Sequence, residues 1–285
     1  MAEDGTAPGG TPEMDNLVEV MRRVHGLGVS HYDLSFLTKS VEKRRLAAAC
    51  ATPAAYVERL TRDRAEAETL FGSLAIHHSE LFRETLTFAL LEQRILPGLV
   101  ARKEASDRTE LRIWSAGCAA GQEACSLAIL LLELSETRDS PVPFRIFATD
   151  SSEAQLALAR AGKYDEVAMR KVRLGHLARW FSRQGPSWVT ANAVRERVHF
   201  SAHDLLDPRS TTPPESIFGE FDLVLCCNLL FYYRPEGRQL ILDKLRSSLA
   251  PGGYLVTGEA ERDLVLRAGG FYSTALPTPV FQRER

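Results

Sequence analysis

The stretch that decides the fold is Leu111–Ser126, L-R-I-W-S-A-G-C-A-A-G-Q-E-A-C-S. A short apolar run, Leu111–Trp114, gives way to small residues and two glycines, Gly117 and Gly121, and the apolar helix pattern Leu127–Leu134 follows at once. Strand, tight turn and helix in that order open a nucleotide-binding α/β unit. Glu123 stands where the helix begins. A helix N-terminus is partly positive and ordinarily welcomes phosphate. A carboxylate there repels a pyrophosphate and attracts an ammonium or sulfonium group. The turn therefore suits S-adenosylmethionine, which has no phosphate, better than NAD. The absence of G-x-G-x-x-G also counts against an NAD oxidoreductase.

Downstream of the turn, strand and helix patterns alternate. Strands are expected at Leu111–Ser115, Phe144–Thr149, Val198–Ala202, Phe221–Cys227 and Tyr254–Gly258, with helices at Glu123–Leu134, Glu153–Ala161 and Gly237–Ser248. Such alternation implies a parallel sheet covered on both faces. The run F-D-L-V-L-C-C-N is apolar as a central strand would be. Phe271-Tyr272 and Val280–Gln282 read as a closing hairpin. Residues 163–197 fit neither pattern; a helix-like Val172–Phe181 and a turn at Gly185-Pro186 mark them as an insertion between the second and third strands.

Upstream, no strand signal precedes Arg112. Residues 1–14, rich in Gly and Pro, read as a disordered tail. Asp15 or Asn16 can cap a helix Leu17–Val24, and further helices are expected at about Asp33–Cys50, Ala54–Arg62 and Ala65–Leu74. His77–Glu84 is a polar connector, and Thr85–Arg102 a connecting helix. The expected organisation is a tail (1–14), a helical domain with its connecting helix (15–97) and an α/β domain (98–285).

Composition excludes several classes. A net charge of -2 over 285 residues points at neither nucleic acid nor a membrane surface. No apolar run reaches membrane-spanning length, and the acidic start M-A-E-D-G-T lacks the basic and apolar regions of a signal peptide. The five cysteines are odd in number and scattered, with no C-x-x-C pair, so reduced thiols in a cytoplasmic protein are expected and no metal site. The adjacent pair His77-His78 fits a loop better than a metal centre.

Ligands of open α/β sheets bind beyond the carboxyl ends of the strands. The first strand ends in the Gly117/Gly121 turn with Glu123, the second in Asp150, the third in His203-Asp204-Leu205 and the fourth in Asn228, followed by Phe231-Tyr232-Tyr233. Asp150 is placed to accept from ribose hydroxyls and Asp204 from an adenine amino group. Each has a plainer reading: Asp150 before Ser151-Ser152 would cap the next helix, Asp204 would start a turn, and the tyrosines would pack. Polar groups ending four strands on one edge favour a nucleoside site. Arg83 follows Leu81-Phe82, which would anchor it near the cleft, where an arginine can hold a carboxylate by paired hydrogen bonds.

From about Leu17 onward the chain resembles the CheR family, the chemotaxis receptor methyltransferases. L-A-I-H-H-S-E-L-F-R-E resembles the family's I-N-x-T-x-F-F-R segment, and W-S-A-G-C-A-A-G-Q-E its W-S-A-x-x-x-x-G-E-E turn. F-A-T-D resembles its second strand, H-D-L-L its N-L-L, F-D-L-V-L-C-C-N-L-L-F-Y-Y its F-D-x-I-x-C-R-N-V-x-I-Y-F, and L-A-P-G-G-Y-L its L-x-P-G-G-x-L. The resemblance implies a small all-helical N-terminal domain before a Rossmann-like class I methyltransferase domain with a small β-subdomain at the insertion. It implies methyl transfer from S-adenosylmethionine to glutamate side chains of a chemoreceptor-like coiled-coil protein, leaving S-adenosylhomocysteine. No nucleic acid and no membrane insertion enter this picture, and a monomer is expected.

Carried over by position, Arg83 and Tyr232 would serve the methyl-transfer site. His77, Ser79, Arg83, Gly117, Glu123, Asp150, Asp204, Leu205 and Asn228 would hold the cofactor, with Glu123 at the methionine ammonium. Lys39, Lys43, Arg44 and Arg45 would form a basic face toward acidic receptor helices; an ordinary solvated face explains them equally well. The R-Q-G-P-S-W loop of the insertion is too short for the receptor-tail tether of some members. His77 and Ser79 stand for Asn and Thr, Gln122 for the first Glu, Ala124-Cys125 for Pro-Tyr, Asp204 for Asn, and Cys227 for the Arg of the R-N pair. Losing that arginine favours a second reading, a diverged relative that binds cofactor and receptor with little turnover; a third is methyl transfer to another acceptor. No general base is required for a glutamate acceptor, which is ionised at neutral pH.

Overall fold

A computed structural model describes residues 11–74, 79–106, 110–138, 141–216 and 219–284. The chain divides into two compact units: Met1–Ile76 with Tyr232–Gly237, and His77–Phe231 with Arg238–Arg285.

The first unit is helical: α1 (Pro12–His25), α2 (Leu34–Ala47), α3 (Pro53–Arg62) and α4 (Arg64–Leu74). Leu17, Met21, Leu37, Tyr56, Leu60 and Leu70 are fully buried among them. Local chemistry sets the ends. The Asp33 carboxylate accepts from the amides of Ser35 and Phe36 and caps α2, and Thr52 caps α3 ahead of Pro53. Gly26, at φ 72°, closes α1. Two expectations change here. Helix α1 already begins at Pro12, so Pro12–Met14 belong to a helix and not to a tail, and Thr11, rather than Asp15 or Asn16, precedes it. Proline is favoured in a first helical turn because its missing N–H has no intrahelical partner there. Residues 1–10 lie outside the described residues.

The second unit begins with a helix that runs from α5 (Thr85–Leu90) through a π-helical turn (Leu91–Ile95) into α6 (Leu96–Glu104). Pro97 cannot donate to the carbonyl four residues back and its ring crowds it; the widened turn absorbs that conflict. This helix, expected with the N-terminal part, groups with the second unit. The strands are β1 (Leu111–Ala116), β2 (Phe144–Asp150), β3 (Lys163–Tyr164), β4 (Phe181–Gln184), β5 (Ser187–Thr190), β6 (Val198–Ala202), β7 (Phe221–Cys226), β8 (Leu249–Thr257), β9 (Phe271–Ser273) and β10 (Val280–Arg283). Interleaved are α7 (Gln122–Glu136), α8 (Glu153–Ala161), α9 (Leu174–Trp180), α10 (Asn192–Arg195), α11 (Pro235–Ser248) and α12 (Arg262–Ala268).

Seven strands form one sheet in the order β6-β2-β1-β7-β8-β10-β9. The first five are parallel, and β10 and β9 close the edge antiparallel as the expected hairpin, with Gln282 opposite Tyr272. Every residue of β7 is buried, as its unbroken apolar run requires. The chain reverses direction across the sheet between β1 and β7, and this is where such folds open a crevice.

The insertion folds as a second, three-stranded antiparallel sheet, β3-β5-β4, with α9 and α10. A charged pin ties it to the main body. Arg173 holds Glu92 through both guanidinium arms, at 2.9 and 2.7 Å, and Trp180 Nε1 donates to Glu133 at 2.9 Å. His176 Nε2 lies 3.0 Å from the same Glu133 carboxylate.

Candidate functional site

The parallel strands β1, β2, β6 and β7 present their carboxyl ends along one rim of the second unit. The β1 end is a left-handed turn, with φ 76° at Gly117, 48° at Ala119 and 83° at Gly121. Gly117 must stay small: a Cβ there would lie 3.1 Å from a Leu229 methyl carbon. The amides of Gly117 and Cys118 both donate to the Thr149 carbonyl, which fastens the turn to β2.

Asp150, expected at the ribose, has a structural role in the turn. Its Oδ2 accepts from the Ala119 amide at 2.9 Å and its Oδ1 from the Ser152 amide at 2.9 Å. One carboxylate therefore fixes the turn and opens the next helix, while Ser152 itself caps α8. Each oxygen keeps a lone pair for a further donor.

Glu123 is half-buried in the first turn of α7, and Ser115 Oγ donates to its Oε1 at 2.7 Å. The Cys227 thiol lies beside the same carboxyl and donates to the Val256 carbonyl at 3.8 Å. Burial raises the pKa of Glu123; these two neighbours oppose that, the nearby Glu84 carboxyl adds to it, and the Arg83 charge lowers it again. Such a group is incompletely satisfied by the protein. An ammonium arriving at the turn would complete it, so the residues present fit S-adenosylmethionine. Cys227 itself stays a neutral thiol, held well above its ordinary pKa by burial and by Glu123.

Arg83 belongs to this neighbourhood. Leu81 and Phe82 are buried; the Leu81 amide donates to the Ala168 carbonyl at 3.0 Å and the Phe82 amide to Ser126 Oγ at 2.9 Å. Phe82 sits at φ 54° with its ring against Phe88 and His176. The anchored connector leaves Arg83 half-buried, with its charge felt by both Glu84 and Glu123. Ser79 is half-buried at the start of the described connector, and His77 lies outside the described residues.

At the β6 end, Asp204 is exposed and its Oδ1 accepts from the Leu206 amide at 2.8 Å, a tight Asx turn that buries Leu205. Beside it, burial and the Lys244 ammonium push the His203 pKa down to about 4. Lys244 Nζ donates to the Asp207 carbonyl at 2.8 Å and closes the loop. At the β7 end, Asn228 sits at φ 59° and its side chain lies beside Glu84, whose pKa it lowers.

The remaining expected residues group with the helical unit. Tyr232 groups with the helical unit, where its ring packs 4.8 Å from that of Phe36 and its carbonyl accepts from the Asp33 amide. On α2, Lys39 and Lys43 are exposed, but Arg44 and Arg45 are engaged internally. Arg44 makes a two-armed pair with the buried Glu66, at 3.0 and 2.6 Å, and Tyr56 donates to the same carboxylate. Arg45 pairs with Glu42 and donates to the carbonyls of Cys50 and Ala51. The basic face is thus reduced to its two lysines, because the planar guanidinium suits carboxylates and carbonyls of the fold. The residue that sequence reasoning missed is Glu261, considered below.

Comparison with known proteins agrees with this rim. Residues 77–267 match the family described as CheR methyltransferase, SAM binding domain. Chemotaxis protein methyltransferase 1 of Pseudomonas aeruginosa is 37% identical over 198 residues, which cover 68% of this chain and 69% of that protein. Chemotaxis protein methyltransferase Cher2 of Pseudomonas putida is 34% identical over the same share of each chain. A 104.1 kDa protein of Rhodobacter capsulatus is 30% identical over 90% of this chain, which spans only 26% of that protein. The chain belongs to the CheR methyltransferase family, and its second unit carries that family's S-adenosylmethionine-binding domain.

Proposed function

We propose that the protein transfers a methyl group to glutamate side-chain carboxylates of a chemoreceptor-like coiled-coil protein, giving glutamyl methyl esters. The two Pseudomonas relatives, both chemotaxis protein methyltransferases by name, support a role in chemotaxis. S-adenosylmethionine, when bound, supplies the methyl group on a positively charged sulfur. Glu123 would take its ammonium, Asp150 the ribose, Asp204 and Leu205 the adenine edge, with Ser79, Gly117 and Asn228 completing the wall.

The observation that carries this reading is the anchored Arg83, half-buried on the cofactor rim beside Glu84 and Glu123. An arginine so fixed can orient an incoming carboxylate by paired hydrogen bonds. The nucleophile is ionised at neutral pH, so the site has only to align it and exclude water. Neither step demands a general base. Lys39 and Lys43 would contribute to docking on an acidic receptor helix.

Incubation with radiolabelled S-adenosylmethionine and receptor-containing membranes tests the proposal. Label should appear as a base-labile ester on the receptor. Label on a base-stable linkage would assign a different acceptor.

A second reading has its own observation. Glu84 is repelled by Glu259 and in turn acts on Glu123, and the position where the resemblance implies an arginine holds the neutral Cys227. A rim this rich in carboxylates would receive an anionic acceptor slowly, which favours a binding module with little turnover. Tight S-adenosylhomocysteine binding without ester formation would select it.

A further inference from the structure

The β7 end is held from below by a side chain that no motif marks. Glu261 is fully buried, in the short helical turn after β8. Its Oε2 accepts from the amides of Asn228 and Gly258, each at 2.8 Å, and its Oε1 from the amide of Leu230 at 2.6 Å. Three amides thus converge on one side chain, two of them from the turn 31 to 33 residues earlier in the chain.

We propose that Glu261 is a positioning residue for methyl transfer, whose carboxyl templates the 228–230 turn so that Asn228 and Leu229 meet the cofactor turn in one fixed arrangement. The inference rests on the functional reading above and adds a residue to it.

The geometry argues for a template over general packing. Asn228 is left-handed, a conformation that costs a non-glycine residue about 1 kcal/mol and persists only where its surroundings impose it. The imposing partners are identifiable. A Cβ on Gly258 would lie 2.3 Å from Asn228 Nδ2 and 3.0 Å from its amide nitrogen, so β8 ends hard against the turn. On the other side Leu229 packs on Gly117, and Asn228 reaches Glu84, the neighbour of Arg83. The turn therefore touches both the cofactor strand end and the connector, and Glu261 sets its shape.

Burying a carboxyl also needs a reason, since an apolar side chain of similar size would fill the space at lower cost. That cost is visible: burial raises the Glu261 pKa to about 7 despite the amides arrayed around it. What a carboxyl supplies and an apolar group cannot is a set of acceptors for amides left unpaired by a left-handed turn.

Glu261→Gln tests this. The variant keeps the volume, relieves the buried charge and replaces one acceptor oxygen with a donor that faces the turn amides. Four quantities are measured: thermal unfolding, S-adenosylhomocysteine affinity by calorimetry, steady-state transfer to receptor membranes, and amide hydrogen–deuterium exchange. The expected result is a melting temperature within a few degrees of wild type, affinity within threefold, and kcat at least tenfold lower. Hydrogen–deuterium exchange should quicken at the amides of 228–230 and 258, with protection elsewhere retained. Unchanged kcat or unchanged exchange at those amides would overturn the proposal; where loss of protection across the whole chain marks an unfolded Gln variant, Gly258→Ala decides. Gly258→Ala disturbs the same turn with Glu261 intact and should reproduce the kcat loss and the local exchange, which covers an unfolded Gln variant. If wild-type protein gives no receptor ester, the functional reading fails. The exchange pattern and the release of methyl label to any other acceptor then decide the role of Glu261 by themselves.

Discussion

The thiol of Cys227, which donates to the Val256 carbonyl at 3.8 Å, stands beside the buried carboxyl of Glu123, and each shifts the other's ionisation. A small neutral group thus neighbours the carboxyl proposed for the cofactor's ammonium. A thiol is a weak donor, so its loss should be mild and its replacement by a better donor tolerated. Cys227→Ser should keep S-adenosylhomocysteine affinity within about twofold, and Cys227→Ala should lose up to about fivefold, the worth of a polar contact of at most about 1 kcal/mol. Calorimetry separates the three proteins, and equal affinities would dismiss the contact.

Glu123 makes a sharper prediction. Burial raises its pKa, and a bound ammonium would lower it again. Affinity for S-adenosylhomocysteine should therefore rise with pH across the acid range as the free carboxyl ionises, and binding at the low end should release protons to buffer. Glu123→Gln should flatten the pH profile and weaken binding by about 30-fold, or about 2 kcal/mol for a lost charge-assisted bond. Titrations in two buffers of different ionisation enthalpy measure the proton count; a flat wild-type profile would remove Glu123 from the ammonium.

What could be read from the chain was whatever is local. The Leu111–Ser126 run states strand, turn and helix within sixteen residues of one another, and the apolar stretch around Cys226 states a central strand. Asp33 caps the helix that directly follows it. What could not be read depends on partners far along the chain. Arg44 and Arg45 have the spacing of a solvated basic face, and only folding brings Glu66 to Arg44 across two helices. Asp150 binds a loop 31 residues upstream, a use no spacing announces. Glu261 sits in an acidic run, G-E-A-E-R-D, that reads as surface, yet it is buried under the turn it holds. The start of α1 was misplaced for a different reason: Gly and Pro near the terminus weighed as disorder, whereas Pro12 sits in the one helical turn that accepts it.

Arg83→Ala should separate binding from chemistry. The anchors Leu81 and Phe82 stay, so the connector should keep its path and the cofactor most of its contacts. The acceptor loses its fork. S-adenosylhomocysteine affinity should fall less than tenfold, while kcat/KM for receptor methylation falls at least a hundredfold. Arg83→Lys should recover little, because an ammonium cannot hold a carboxylate by two parallel bonds. Wild-type kcat/KM in the alanine variant would exclude the role.

His203 carries the clearest pH signature of the β6 end. Burial comes first and the Lys244 ammonium second in bringing its pKa from 6.5 down to about 4, against the weaker pull of Asp204 and Asp207. A base whose pKa is depressed on folding stabilises the fold fully above its unfolded pKa, and that contribution is lost as the pH falls from about 6.5 toward 4. The whole effect is about 3 kcal/mol by linkage for a side chain this buried. Wild-type unfolding free energy should thus decline over that window, and His203→Gln, which cannot charge, should decline less. Ring-proton NMR gives the direct check: the His203 resonance should stay neutral at pH 5, when an exposed histidine is already protonated. Titration near 6.5 would mean that the loop between β6 and Lys244 is open to solvent, and the expected stability slope would vanish with it.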